Sequence, residues 1–127
     1  GDLAQIRKTR ELCPQDFDIY SGDDGLTLDI VKFGGKGVIS VAAHLVGKQI
    51  RRMINACIEE KLDEAQAINK ELAGIFKVLF ITTNPSPVKY AAGLLGFKVG
   101  RPRLPMVEPT EDEKMKIRAE MQKLGLI

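Results

Sequence analysis

Hydrophobic and polar positions divide this chain into a short region of mixed periodicity and a longer one that is helical throughout. Leu3 and Ile6 stand at helical spacing, with Arg10 on its stem continuing the face. Asp2 can cap the start and Pro14 stops the run, so the pattern predicts a helix over 2–12. Phe17 to Tyr20 is a short apolar run favouring strand, and Ser21-Gly22-Asp23-Asp24-Gly25 is a turn. Leu26 to Phe33 reads as a short helix with Leu26, Ile30 and Phe33 on one side. After the turn Gly34-Gly35-Lys36-Gly37, Val38 to Ala42 is a nearly unbroken apolar run. Such a run suits a strand covered on both faces, as in parallel sheets. The order helix, strand, helix, strand therefore predicts a βαβ unit with a parallel pair and a right-handed crossover.

Everything downstream predicts helix. Ile50, Met53, Ile54, Cys57 and Ile58 follow the spacing of one buried face. Asp63 with Gln66 predicts a capping-box start for a helix burying Ile68, Leu72, Ile75, Phe76, Leu79 and Phe80. Two prolines interrupt 82–87, a small-residue helix follows over 88–95, and Gly96 ends it. Three prolines make 101–109 extended. Thr110 and Glu113 form a second capping box, and the last helix ends near Leu124 with Gly125 in the C-cap position. Two parallel strands among so many helices leave a sheet without neighbours on its edges. The expectation is that the rest of the sheet lies upstream of Gly1, which stands where a translated chain would show Met.

Composition narrows the class. With 127 residues, 44% hydrophobic and 28% charged, the chain is one ordinary globular domain in size. Nineteen basic residues against 17 acidic leave +2, so no strong field favours nucleic acid. The basic groups Arg7-Lys8-Arg10, Lys48-Arg51-Arg52 and Lys98-Arg101-Arg103 read as solvated helix faces. No apolar stretch approaches the length of a membrane span, and no signal peptide opens the chain. Cys13 and Cys57 are too few for a disulfide framework and too far apart for a CxxC site, so a reducing cytoplasm is the default. With His44 the single histidine, no metal site is expected.

Candidate chemistry is sparse. Asp23 and Asp24 follow the first strand, where α/β proteins place ligand-binding loops. Paired carboxylates could hold a metal or move protons; equally, Asp24 could cap the next helix and Asp23 shape the turn. The glycine cluster at 34–37 looks like a phosphate cradle, but it leaves a helix and enters a strand, the reverse of a P-loop. It reads instead as a tight turn needing positive φ. His44 has no nucleophile beside it, Cys57 reads as core, and Asn84-Pro85-Ser86-Pro87 reads as structural.

Four strings carry a resemblance. Tyr-Ser-Gly-Asp-Asp at 20–24, Gly-Gly-Lys-Gly-Val-Ile-Ser-Val at 34–41, Asn-Pro-Ser-Pro-Val-Lys at 84–89 and Arg-Leu-Pro at 103–105 resemble the dihydrodipicolinate synthase family, in order and at similar spacings. The resemblance implies an α/β fold, the C-terminal part of a (β/α)8 TIM barrel with a C-terminal helical extension. Residues 1–60 would carry the seventh and eighth strands with their helices, and 61–127 the extension. It implies a lyase of the pyruvate-dependent class I aldolases, acting on pyruvate and aspartate semialdehyde on the route to lysine and diaminopimelate. No cofactor is implied, and a homo-oligomer, dimer or tetramer, is.

The family's Schiff-base lysine lies in a Lys-Glu-Ala-Ser/Thr-Gly-like string whose last glycine would be Gly1, so the nucleophile would fall just outside this sequence. Lys36 and Lys89 are not its replacements. The match puts the Ile39 main chain against pyruvate and makes Gly22, Asp23 and Asp24 the loop bordering the second substrate. Leu3 and Phe33 fall where a second subunit interface tends to lie. The related N-acetylneuraminate and 2-keto-3-deoxy-sugar acid aldolases share the barrel and the lysine. A half-barrel serving only binding or oligomerisation is the non-catalytic alternative. On either reading the isolated chain is expected to be inactive, and poorly stable or self-associated.

Overall fold

The computed structural model describes all residues from Gly1 to Ile127. It is mostly helical, with one small parallel sheet. In chain order the elements are α1 (Leu3–Leu12), β1 (Tyr20–Ser21), a 3-10 turn (Asp24–Leu26), α2 (Thr27–Lys32), β2 (Gly37–Val38), α3 (Ala43–Ile58), α4 (Leu62–Val78), α5 (Ser86–Leu94) and α6 (Glu111–Lys123). The chain forms two compact units. One holds residues 1–40 and 48–70, the other residues 41–47 and 71–127.

In the first unit, α1 starts as expected: the Asp2 carboxylate accepts from the Ala4 N–H at 2.8 Å. Arg10, expected to contribute its apolar stem, contributes its head. Its guanidinium donates to the carbonyls of Phe17 (2.7 Å), Cys13 (3.4 Å) and Pro14. This shortens the first strand. Phe17 spends its carbonyl on Arg10 and its N–H on Pro14, so 17–18 stay outside the ladder and Phe17 is exposed. The strand pair is parallel, with Tyr20 opposite Gly37 and Ser21 opposite Val38. Flanking bonds from the Lys36 N–H to the Ile19 carbonyl and from the Ile39 N–H to the Ser21 carbonyl, both 2.8 Å, extend it by a residue at each end.

Between the strands, α2 is buried nearly all round, with Thr27, Leu28, Ile30 and Val31 inside. The single stripe of Leu26, Ile30 and Phe33 is therefore incomplete, since Leu26 and Phe33 are only half-buried. The turn back into β2 needs its glycines. Gly34 has φ +89°, and a Cβ on Gly35 would lie 2.8 Å from the Ile30 carbonyl oxygen. In α3 the expected face is buried at Ile50, Met53 and Cys57, but Ile58 is exposed at the helix end. Burial pushes the Cys57 thiol pKa up, and nearby Lys32 opposes this. α4 begins at Leu62, so Asp63 lies inside the first turn rather than capping it. The Ala65 N–H reaches the Lys61 carbonyl, which starts the helix two residues before Asp63.

In the second unit, Val41 and Ala42 do not continue β2. The Ala42 carbonyl accepts from the N–H groups of Leu45 and Val46, both at 2.9 Å, so this end of the apolar run opens α3. Val46 interrupts that helix with φ −126° and ψ 31°. Ile75, Phe76 and Leu79 are buried as expected, whereas Phe80 sits beyond the end of α4 and is half exposed. Pro87 occupies the first turn of α5, where its missing N–H costs nothing. The Thr110–Glu113 capping box forms: Thr110 Oγ1 accepts from the Glu113 N–H, and Glu113 Oε2 from the Thr110 N–H at 2.7 Å. Ile117 and Met121, one turn apart on α6, are fully buried. Gly125, at φ +63°, follows that helix.

Candidate functional site

Parallel pairing puts the carboxyl ends of β1 and β2 side by side, and all four candidate residues lie there. Gly22, Asp23 and Asp24 follow β1; Ile39 follows β2. The two ends are joined twice, by the Ile39 N–H on the Ser21 carbonyl and by Ser40 Oγ donating to the Asp24 carboxylate.

The two aspartates divide the work in the opposite sense to the capping expectation. Asp23 is the cap: it precedes the 3-10 turn, is exposed, and its carboxylate accepts from the Gly25 N–H at 2.8 Å. Asp24 is only 2% exposed and holds Ser40. The reversal has a local cause. Extended dihedrals at Asp23 turn its side chain back over the first N–H groups of the turn, while Asp24 is already inside it. A buried carboxylate needs such partners, since an unpaired one is costly to desolvate.

Ser21 holds the same corner from the strand side. Its hydroxyl, 1% exposed, donates to the Asp23 carbonyl at 2.6 Å and accepts from the Asp23 N–H at 3.1 Å. Thr27 Oγ1 donates to that carbonyl as well, at 3.3 Å. Ser21 and Ser40 were not read from the sequence as candidates. The available signal was a small hydroxyl directly after the first apolar run and another inside the second, where a polar partner would justify it.

Ile39 has an exposed side chain, at 75%, and a committed N–H. The group it can offer a ligand is its carbonyl, an acceptor at the end of β2. Gly22 is exposed, with nothing within 4 Å of where a Cβ would stand. Beside β1 runs an open cleft of about 440 Å³ lined by Gly1, Ile6, Tyr20, Ser21, Gly22 and Asp23, among others. The site thus offers one carbonyl, one exposed carboxylate already serving as a cap, and a backbone held rigidly by hydroxyls. It can bind and orient a polar ligand, but it contains no nucleophile with an adjacent base.

The other residues singled out from the sequence lie elsewhere. His44 is exposed in the first turn of α3 and lines an apolar cleft with Val88, Lys89 and Phe97. Lys36 is exposed in the turn entering β2, at the opposite end of the strands from Ile39. Leu3 and Phe33 are half-buried on α1 and just after α2, and the Arg7 guanidinium lies 4.2 Å from the centre of the Phe33 ring. Arg51 and Arg52 are exposed, Arg52 pairing with Glu64 at 2.7 Å, as a solvated helix face should. No group of three or more His, Cys, Asp or Glu side chains is placed to hold a metal ion, and no helix is long and apolar enough to cross a membrane.

Comparison with known proteins gives one consistent result. The sequence profile of the Dihydrodipicolinate synthetase family matches residues 1–124. A 4-hydroxy-tetrahydrodipicolinate synthase from Desulforudis audaxviator is 50% identical over 127 residues, covering all of this chain and 43% of that protein. Its counterpart from Heliobacterium modesticaldum is 48% identical over 126 residues, covering 99% of this chain and 42% of that protein. Among solved structures, the Cyanidioschyzon merolae dihydrodipicolinate synthase with lysine bound superposes with a TM-score of 0.96 at 40% identity, over all of this chain and 43% of its own. The chain therefore spans less than half the length of the relatives it matches.

Proposed function

This chain belongs to the dihydrodipicolinate synthetase family, and from that premise we propose that it is the C-terminal portion of a lyase that condenses pyruvate with aspartate semialdehyde through a lysine Schiff base. On this reading β1 and β2 are the seventh and eighth strands of a (β/α)8 barrel. Residues 1–60 belong to the barrel and residues 61–127 to its helical extension. The assembled protein is a cytoplasmic homo-oligomer, dimer or tetramer, with Leu3 and Phe33 at a subunit contact.

The observation that carries the proposal is the adjacency of the two strand ends. Barrel enzymes work at the carboxyl ends of their strands, and the matched residues of both strands meet there, with the Ile39 carbonyl and the Gly22–Asp24 loop on one rim. Gly1 adds support, because it lines the same cleft as Gly22 and Asp23. A lysine four residues before Gly1 would stay within about 14 Å of it along even a fully extended backbone.

The division of labour follows from what the side chains can do. The upstream lysine attacks the pyruvate ketone and expels water, leaving an imine whose methyl carbon becomes the nucleophile after losing a proton. This chain supplies position. On this reading the Ile39 carbonyl accepts from the protonated imine N–H of the lysine–pyruvate adduct, and the rigid Ser21–Asp24 corner borders the aldehyde substrate. Asp23 and Asp24 shape the loop on this reading, in keeping with the Gly25 N–H and the Ser40 hydroxyl that they accept.

The test is intact mass and peptide mapping of the protein from its natural source after treatment with pyruvate and borohydride. The expected result is one reduced pyruvate per subunit, on a lysine outside residues 1–127. An adduct on Lys36 or Lys89 would refute the assignment of roles. No adduct, on a subunit of this chain's mass, would favour a non-catalytic half-barrel instead.

A further inference from the structure

The Asn84–Lys89 segment has no part in the site above, yet it forms one wall of a second, smaller cavity. This cleft, of about 140 Å³, lies at the first turn of α5 and is lined by Ser86, Lys89, Tyr90, Glu108, Pro109 and Lys114, among others. Ser86 is 1% exposed, and its hydroxyl is buried with no hydrogen-bond partner. A buried hydroxyl without a partner has lost its solvation with nothing in return, so its presence calls for a ligand.

The charges around the cleft say which kind. Lys89 pairs with no carboxylate; its ammonium donates once, to the Arg101 carbonyl at 3.1 Å, which leaves two N–H donors. Lys114 is held by Glu111 at 2.8 Å and lies 3.9 Å from Glu108. Glu108 is itself neutralised by Arg101 at 3.0 Å. Arg118 donates to the Tyr90 hydroxyl at 2.8 Å, which leaves the phenolic O–H as a donor. The charged side chains lining the cleft are thus two cations, Lys89 and Lys114, against one carboxylate, Glu108, which Arg101 already neutralises, and the uncommitted donors beside it are hydroxyl and ammonium groups. A cation would be repelled. Water could satisfy Ser86 but would leave the excess positive charge unanswered. With a water taking about 30 Å³, the cleft has room for a few waters or one tetrahedral oxyanion.

We propose that this cleft binds a small oxyanion of the phosphate type, held by the Ser86 hydroxyl and the Lys89 and Lys114 ammoniums. The positive end of the α5 dipole favours the same charge, but the amides contribute little. Pro87 has no N–H, and the Ser86 N–H is already bonded to the Thr83 carbonyl at 3.1 Å. Side chains therefore carry the recognition, and that makes it removable by substitution.

The experiment is an NMR shift titration of the complete protein that carries this chain, with inorganic phosphate, against sodium chloride at equal ionic strength. The expected result is a saturable shift confined to the first turn of α5 and the loop carrying Glu108. Ser86→Ala is expected to weaken binding about threefold to tenfold, the range for one lost hydrogen bond. Lys89→Met, which changes a partly exposed side chain and leaves the core intact, is expected to weaken it at least as much. A shift that does not saturate, one that chloride reproduces, or one that both variants leave unchanged would overturn the proposal and leave ordered water as the occupant.

Discussion

Helices α1 and α2 pack in the same unit and are built in opposite ways. α1 has ten residues and buries none of them; α2 has six and buries four. The longer helix is held by its ends and its head groups, through the Asp2 cap and the three carbonyls gathered by Arg10. The shorter one is held by packing, at Leu28, Ile30 and Val31. Propensity and capping can make a helix visible in sequence, but apolar burial decides how firmly it is fixed. Ile6 of α1 is accordingly half-buried beside an open cleft.

The sharpest way to break this comparison is truncation of one apolar side chain on each helix. Leu28→Ala should cost about 2–5 kcal/mol of unfolding free energy, and Ile6→Ala clearly less. Denaturant unfolding of the two variants checks it, and equal losses would mean that α1 is as firmly packed as α2. Second in size is the aspartate pair. Asp24→Ala leaves Ser40 Oγ without its carboxylate and should cost about 1–3 kcal/mol. Asp23→Ala removes an exposed cap and should cost about 1 kcal/mol. On the function proposed above, Asp23→Ala in the complete protein should raise KM for the aldehyde more than for pyruvate; the reverse would move the loop to the other substrate.

The cysteines extend the contrast to chemistry. Half-buried Cys13 should react with a thiol reagent well before Cys57, as followed by mass spectrometry. The Cys57 pKa is raised above its ordinary 9.0 by burial. The native state therefore keeps its proton at pH values where the unfolded state has lost it. Stability linked to this group is intact below about pH 9 and is lost as pH rises through the folded value. Cys57→Ala should remove that alkaline slope, and an unchanged slope would assign it to another group. The smallest effect belongs to the surface pair Arg52–Glu64. With both side chains well exposed, Arg52→Ala should cost no more than about 1 kcal/mol and less at high salt.

Elements whose logic is local were legible in the residues. The Asp2 cap, the Thr110–Glu113 box, Gly34 at its positive φ and Gly125 after α6 each depend on neighbours a few positions away. The helical run after Lys48 was legible from its period, except at helix ends, where Ile58 and Phe80 continue the apolar pattern but extend past the packed surface. The strands were placed within a few residues but drawn too long. Their length depends on which backbone groups find partners, and Arg10 and the start of α3 claim groups that the apolar pattern had assigned to strands.

By itself the sequence determined the order of elements, the parallel strand pair and the position of the loop that borders the candidate site, because turn chemistry and hydrophobic period are carried by adjacent residues. Only the tertiary structure decided that Asp23 caps while Asp24 is buried on Ser40, that the Ile39 N–H is spent on the Ser21 carbonyl, and that Ser86 is buried beside Lys89 and Lys114. Asp24 with Ser40 and Ile39 with Ser21 are hydrogen-bond pairings across 16 or more positions of chain, the Asp23 cap spans two, and Ser86 shows a partner's absence. A carboxylate or hydroxyl has the same identity in either case; burial and the groups that fold against it assign its role.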